Sequence, residues 1–101
     1  INVPGAFEVP AVISSLSKED KYIGFVALGC VIRGETSHYD YICSETARAL
    51  MDLSIQGVAI GYGILTCENK KQAEKRQFDK GESAAIACVK MIQVIHEASN
   101  K

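Results

Sequence analysis

Two kinds of apolar pattern divide this chain. From Tyr22 to Ile32 the sequence is almost unbroken apolar, rich in β-branched and aromatic residues, and such a run predicts a strand covered on both faces. Val58 to Leu65 predicts a second strand. Elsewhere the apolar residues recur at helical spacing. Val9, Val12, Ile13 and Leu16 do so around Pro10, a residue suited to a first helical turn, and predict a helix that stops near Ser17. Before it, Ile1-Asn2-Val3-Pro4 looks like the end of an extended segment. Ile42, Thr46, Ala49, Leu50 and Leu53 form the stripe of a second helix, ended near Gln56-Gly57 by a glycine. Asn69 can open a short polar helix through Arg76, and Gly81-Glu82-Ser83 leads into a long terminal helix with Ala84, Cys88, Met91 and Ile95 on one face. Strand and helix alternate, which predicts an α/β fold with a parallel sheet flanked by helices. No repeat, linker or low-complexity segment interrupts the pattern.

The first strand runs straight into a polar, glycine-bearing turn, Gly34-Glu35-Thr36-Ser37-His38. Gly34 lets the backbone turn closely, Thr36 and Ser37 can cap the next helix, and the helix start offers free N–H groups to an anion. A second strand-to-helix turn follows near Thr66, and open α/β sheets place their ligands at this carboxyl edge. Gly5-Ala6-Phe7-Glu8, just past the first extended segment, would bring a carboxylate to the same edge. Each residue has a plain structural reading as well. Glu8 suits a helix start, His38 can bond within its own turn, and Arg76 alone would be a solvated helix arginine. Their placement at one edge is what points to a site.

Composition narrows the function classes. The 101 residues, 48% hydrophobic, suffice for one small core. A net charge of −1, with Lys and Arg spread along the chain, gives no electrostatic case for nucleic acid or an anionic membrane. No apolar run has the length to span a bilayer and no basic segment precedes an apolar signal core, so a soluble, cytoplasmic protein is expected. Cys30, Cys43, Cys67 and Cys88 form no Cys-x-x-Cys pair, which leaves a zinc or iron–sulfur site little support. Cys30, at the end of a strand, and Cys88, in an apolar helix stripe, read as small core residues, while Cys43 and Cys67 stay open. No strand leads into Gly-x-Gly-x-x-Gly or a phosphate-loop lysine motif, which argues against a generic nucleotide binder.

Four segments carry a family resemblance: Val3-Pro4-Gly5-Ala6-Phe7-Glu8-Val9-Pro10; Gly29 through Tyr41; Gly61-Tyr62-Gly63-Ile64-Leu65-Thr66 with Gln72-Ala73 and Arg76; and Lys80-Gly81-Glu82-Ser83-Ala84-Ala85. In this order, over almost the whole chain, they resemble the lumazine synthase family of riboflavin biosynthesis. The resemblance implies a three-layer α/β/α sandwich with a flavodoxin-like parallel sheet, in a single domain over residues 1–101. It also implies that the family's usual N-terminal strand and helix are missing here, along with an aromatic residue that stacks on the pyrimidine. Gln77-Phe78-Asp79 stands where the family has a longer glycine-bearing connection.

The implied activity is a transferase reaction: condensation of 5-amino-6-ribitylamino-uracil with 3,4-dihydroxy-2-butanone 4-phosphate to 6,7-dimethyl-8-ribityllumazine, phosphate and water. No metal or organic cofactor is implied. Carried over by position, Ala6, Phe7 and Glu8 would contact the pyrimidine and ribityl chain, and Val31 and Ile32 would line the ring pocket. Gly34, Glu35 and Thr36 would bind the butanone phosphate with Arg76, and His38 would shuttle protons. Tyr62, Arg76 and Lys80 would reach the pocket from a neighbouring subunit, so the resemblance implies a homo-oligomer, a pentamer or a shell of twelve pentamers. The alternative is a catalytically weak lumazine- or flavin-binding scaffold of the same fold, against which His38 speaks.

Overall fold

The computed structural model describes residues 1–100. A single 3-10 turn at Ala6–Glu8 leads into helix α1 (Val9–Ser17), followed by strand β1 (Phe25–Ile32), helix α2 (His38–Ile55), strand β2 (Ile60–Cys67) and helix α3 (Lys70–Ser99). α1 and α2 lie where the apolar stripes predict them. Pro10 occupies the first turn of α1, where its missing N–H costs nothing. α2 ends at Gly57, whose φ of 101° is the left-handed conformation that glycine adopts without a side-chain clash.

β1 and β2 pair in parallel from Phe25↔Ile60 to Ile32↔Cys67. The 3-10 turn, α1 and α2 cover one face of this pair, where Ile13, Ala27, Leu50 and Ile64 form the main core. α3 covers the other, with Leu65, Cys67 and Ala73 as a second cluster. The result is three layers, helix on sheet on helix.

The two strands are covered unequally, which corrects the expectation for Tyr22–Ile32. β1 begins only at Phe25, whose N–H donates to the Ala59 carbonyl at 2.9 Å. Its burial alternates: Ala27 is 2% exposed, whereas Leu28 is 60% exposed. The cause is the seat of α3. A β-carbon on Gly61 would collide with the Ala84 carbonyl oxygen, and one on Gly63 would come within 3.0 Å of the Ala84 side chain, so the helix lies directly over β2. Val26, Leu28 and Cys30 on the same face of β1 are left uncovered. Cys30 is therefore an exposed residue inside the strand, not a core thiol at its end, while Cys67 and Cys88 are buried. A groove of about 600 Å³ runs along the open edge of β1 between Val3, Val12, Leu16, Val26 and Leu28.

α3 is one continuous helix, not the two predicted around Gly81. Asn69 opens it as expected, its side-chain oxygen accepting from the Gln72 N–H at 3.0 Å, and the Gln72 side chain accepts in turn from the Glu68 N–H at 2.9 Å. Between Arg76 and Ser83 no proline intervenes, and Gly81 alone weakens a helix by only about 1 kcal/mol. Ala73, Ala84 and Cys88 bury one face across the junction, and that shared packing against β2 joins the two predicted pieces. β2 itself is displaced by two residues from Val58–Leu65, because Val58 donates its N–H to Leu53 and closes the turn after α2 instead of pairing with β1.

Candidate active site at the carboxyl edge of the sheet

Pairing without offset sets the carboxyl ends of β1 and β2 side by side, and the Arg33 N–H extends the ladder to the Cys67 carbonyl at 2.9 Å. Both strands then enter helices within a few residues, at His38 and at Lys70. Two helix N-termini thus stand at the same sheet edge, each with unpaired N–H groups and the positive end of its dipole. His38 is the first residue of α2.

Within the turn, the Thr36 hydroxyl accepts from the His38 N–H at 3.3 Å. Ser37 holds the cap position without a side-chain hydrogen bond, so of the two expected caps only Thr36 acts. Gly34 has no positive φ, and nothing lies within 4 Å of where its β-carbon would be. The close turn expected there is thus not what calls for glycine; the space beside it is simply open. Gly34, Glu35, Thr36 and His38 are all exposed.

The 3-10 turn packs against both β1 and α2. Gly29 faces it, and a β-carbon there would meet the Ala6 methyl at 3.7 Å, an ordinary van der Waals contact. Ala6, Phe7 and Glu8 are in this way held beside the strand that leads to His38. Val31 packs toward the main core, and Ile32, one residue on, faces the opposite side of the sheet with 42% exposure. The two cannot both present side chains to one pocket.

Arg33 is the residue that sequence reasoning missed. Its Nε donates to Glu68 at 2.8 Å, an Nη lies 3.4 Å from Asp40, and the guanidinium stacks 4.4 Å from the centre of the Tyr39 ring. Although desolvation pulls the other way, Glu68 first and then Asp40 hold the Arg33 pKa above its ordinary value. Tyr39 in turn neighbours Cys43 and Thr66; partial burial and the Cys43 thiol push its phenol up, against a smaller opposing pull from Thr66 and Arg33. Arg33 is the first charged residue after an apolar strand, a position that could have flagged it, but Glu68 is 35 residues away and no local spacing connects them.

On the far strand, the Lys80 ammonium lies 5.4 Å from the centre of the Tyr62 ring. Burial, then the Cys43 thiol, raises the Tyr62 pKa above its ordinary value. Arg76 is exposed in the second turn of α3. Among the described residues no ion pair or side-chain hydrogen bond joins it to the Gly34–His38 turn. The single chain therefore gathers the Ala6–Glu8 turn, the Thr36–His38 turn and the start of α3, and it pairs Tyr62 with Lys80, but it does not bond Arg76 to that turn. No group of three or more His, Cys, Asp or Glu among the described residues could hold a metal ion. No described helix is long and apolar enough to cross a membrane.

The profile of the 6,7-dimethyl-8-ribityllumazine synthase family matches residues 1–96. The chain is 47% identical over 96 residues to the 6,7-dimethyl-8-ribityllumazine synthase of Novosphingobium aromaticivorans, covering 91% of this chain and 69% of that protein. It is 48% identical over 98 residues to the enzyme of the same name from Zymomonas mobilis, covering 93% and 70%. With the protein of that name from Bartonella bacilliformis it shares 52% identity over 99 residues, 91% of this chain and 65% of that one. A match over nearly the whole chain at this identity, on a parallel sheet flanked by helices, places the chain in the 6,7-dimethyl-8-ribityllumazine synthase family, transferases of riboflavin biosynthesis.

Proposed function

We propose that this protein condenses 5-amino-6-ribitylamino-uracil with 3,4-dihydroxy-2-butanone 4-phosphate to form 6,7-dimethyl-8-ribityllumazine, releasing phosphate and water. Family membership supports the reaction, and one observation supports its location: His38 begins α2 beside the open Gly34 turn, at the edge where α3 also begins. Exposed N–H groups there suit the phosphate, bound by the Gly34-Glu35-Thr36 backbone and the Thr36 hydroxyl. Glu8 accepts hydrogen bonds from the ribityl hydroxyls, and Ala6, Phe7, Val31 and Ile32 flank the pyrimidine, Val31 or Ile32 through backbone atoms.

The reaction is a series of proton transfers on reactive substrates. The amine attacks the C2 ketone carbonyl and loses one water to give an imine. A proton then leaves C3 and phosphate leaves C4, the resulting enol becomes a ketone at C3, and the ribitylamino nitrogen closes the ring there with loss of a second water. Holding the two substrates together supplies much of the acceleration. His38 moves the protons, because imidazole both gives and accepts them near neutral pH. Neither a metal nor an organic cofactor takes part.

Arg76, Tyr62 and Lys80 serve the site of the adjacent subunit. Arg76 is exposed and no ion pair or side-chain hydrogen bond among the described residues ties it to the His38 turn of its own chain, which leaves it available to a neighbour's phosphate. The working protein is a cytoplasmic homo-oligomer, a pentamer or a shell of pentamers, built from one domain per chain. Turnover of the two substrates by full-length protein tests the reading, and His38→Ala should lower kcat by about a hundredfold or more. No product from the wild-type protein would refute the activity, and an undiminished rate in the variant would remove His38 from the mechanism.

A further inference from the structure

Arg33 sits where the two strand-to-helix turns meet, yet its guanidinium is already engaged. Glu68 takes Nε at 2.8 Å, Asp40 lies 3.4 Å from an Nη, and the Tyr39 ring covers one face at 4.4 Å. Glu68 belongs to the turn that opens α3, while Asp40 and Tyr39 belong to the first turn of α2. One side chain thus touches both helix starts. Its backbone is fixed as well, through the N–H donated to the Cys67 carbonyl. With its planar fork held by two carboxylates and a ring, Arg33 is poorly placed to bind a substrate anion and well placed to hold the frame that does.

We propose that Arg33 is a positioning residue: it locks the Gly34–Ser37 turn and the N-terminus of α2 to the N-terminus of α3, and so fixes the subsite for the phosphate of the butanone substrate. The inference rests on the phosphate reading given above. Each ion pair is partly exposed, with Arg33 at 40% and its partners at about 60%, so single pairs contribute little to stability. Their consequence is geometric. A turn that relaxes by a fraction of an ångström loses backbone N–H alignment to a phosphate while leaving the pyrimidine contacts of the 3-10 turn in place.

Steady-state kinetics of the full-length protein, Arg33→Gln, Glu68→Gln and the double variant provide the test. In Arg33→Gln the KM for 3,4-dihydroxy-2-butanone 4-phosphate should rise about tenfold, and that for 5-amino-6-ribitylamino-uracil by less than about twofold. Glu68→Gln should shift the same constant in the same direction, and the double variant should be no worse than Arg33→Gln alone, because both remove one clamp. Equal rises in both constants, no change, or additive losses would overturn the inference. Glu68→Gln alters an exposed acid and carries the test even if Arg33→Gln does not fold. Calorimetric titration with inorganic phosphate reads the subsite without turnover: wild-type binding that weakens about tenfold in Glu68→Gln or Arg33→Gln supports the clamp, and equal binding in all proteins removes it. Wild-type protein that binds phosphate but makes no product would refute the proposed reaction alone; protein that does neither would refute both.

Discussion

Gly61 lies against Ala84 backbone to backbone, with no space for a β-carbon before the Ala84 carbonyl oxygen. This one approach seats α3 on β2 and leaves β1 open on that face. Gly61→Ala should therefore destabilise the fold by about 3 kcal/mol, since backbone must move to admit the methyl group. Gly34→Ala, in open space and without a positive φ, should change stability by less than about 0.5 kcal/mol. If the space beside Gly34 is where a phosphate approaches, that silent substitution should still raise the KM for the butanone phosphate. Urea unfolding and steady-state kinetics on the two variants separate the roles.

Thr46 is 2% exposed on α2, and its hydroxyl has no hydrogen-bond partner among the described residues. Burying a hydroxyl without a partner costs stability, and valine has nearly the same shape. Thr46→Val should stabilise the protein by up to about 1 kcal/mol in chemical denaturation. A loss of that size would mean the hydroxyl is satisfied in solution.

Tyr62 introduces a pH dependence whose sign is set by its burial. Burial, and secondarily the Cys43 thiol, raise its pKa above 10.0, so the folded state keeps the phenol proton where the unfolded chain would release it. This contribution is complete below the unfolded pKa near 10 and is lost as pH rises through the higher folded value. Stability measured from pH 9 to 11 should fall less steeply in Tyr62→Phe than in the wild type, with the pH 9–11 window taken as roughly that of the phenol. Identical slopes would show that the phenol is solvated in the fold.

The proposed sharing of a site between subunits can be tested by complementation. Protein mixed from His38→Ala and Arg76→Ala chains, each nearly inactive alone, should recover about a quarter of wild-type activity after dissociation and reassembly at equal amounts, because that share of sites draws both intact residues from different chains. No recovery would mean that His38 and Arg76 act within one subunit, or not in one site.

Much of the candidate site was legible because its residues are local. The Gly34–His38 turn, the Ala6–Glu8 segment and the Asn69 cap each rest on neighbours a few residues away, and such patterns are written in spacing and residue type. The helix α1 and the end of α2 at Gly57 were read for the same reason. The Arg33–Glu68 pair was not legible. It is made by the parallel register of β1 and β2, which brings together residues 35 positions apart.

The sequence by itself determined the alternation of strands and helices and which residues stand at the carboxyl edge of the sheet, since periodicity and turn chemistry are properties of short segments. Tertiary structure alone decided that β1 is open on one face, that Cys30 is exposed, and that α3 runs unbroken through Gly81. Each of these depends on where α3 comes to rest, and that is set by a backbone contact between Gly61 and Ala84 that no local pattern contains. A continuous apolar run reports that a strand can be buried on both sides; only the packed helix determines which side is.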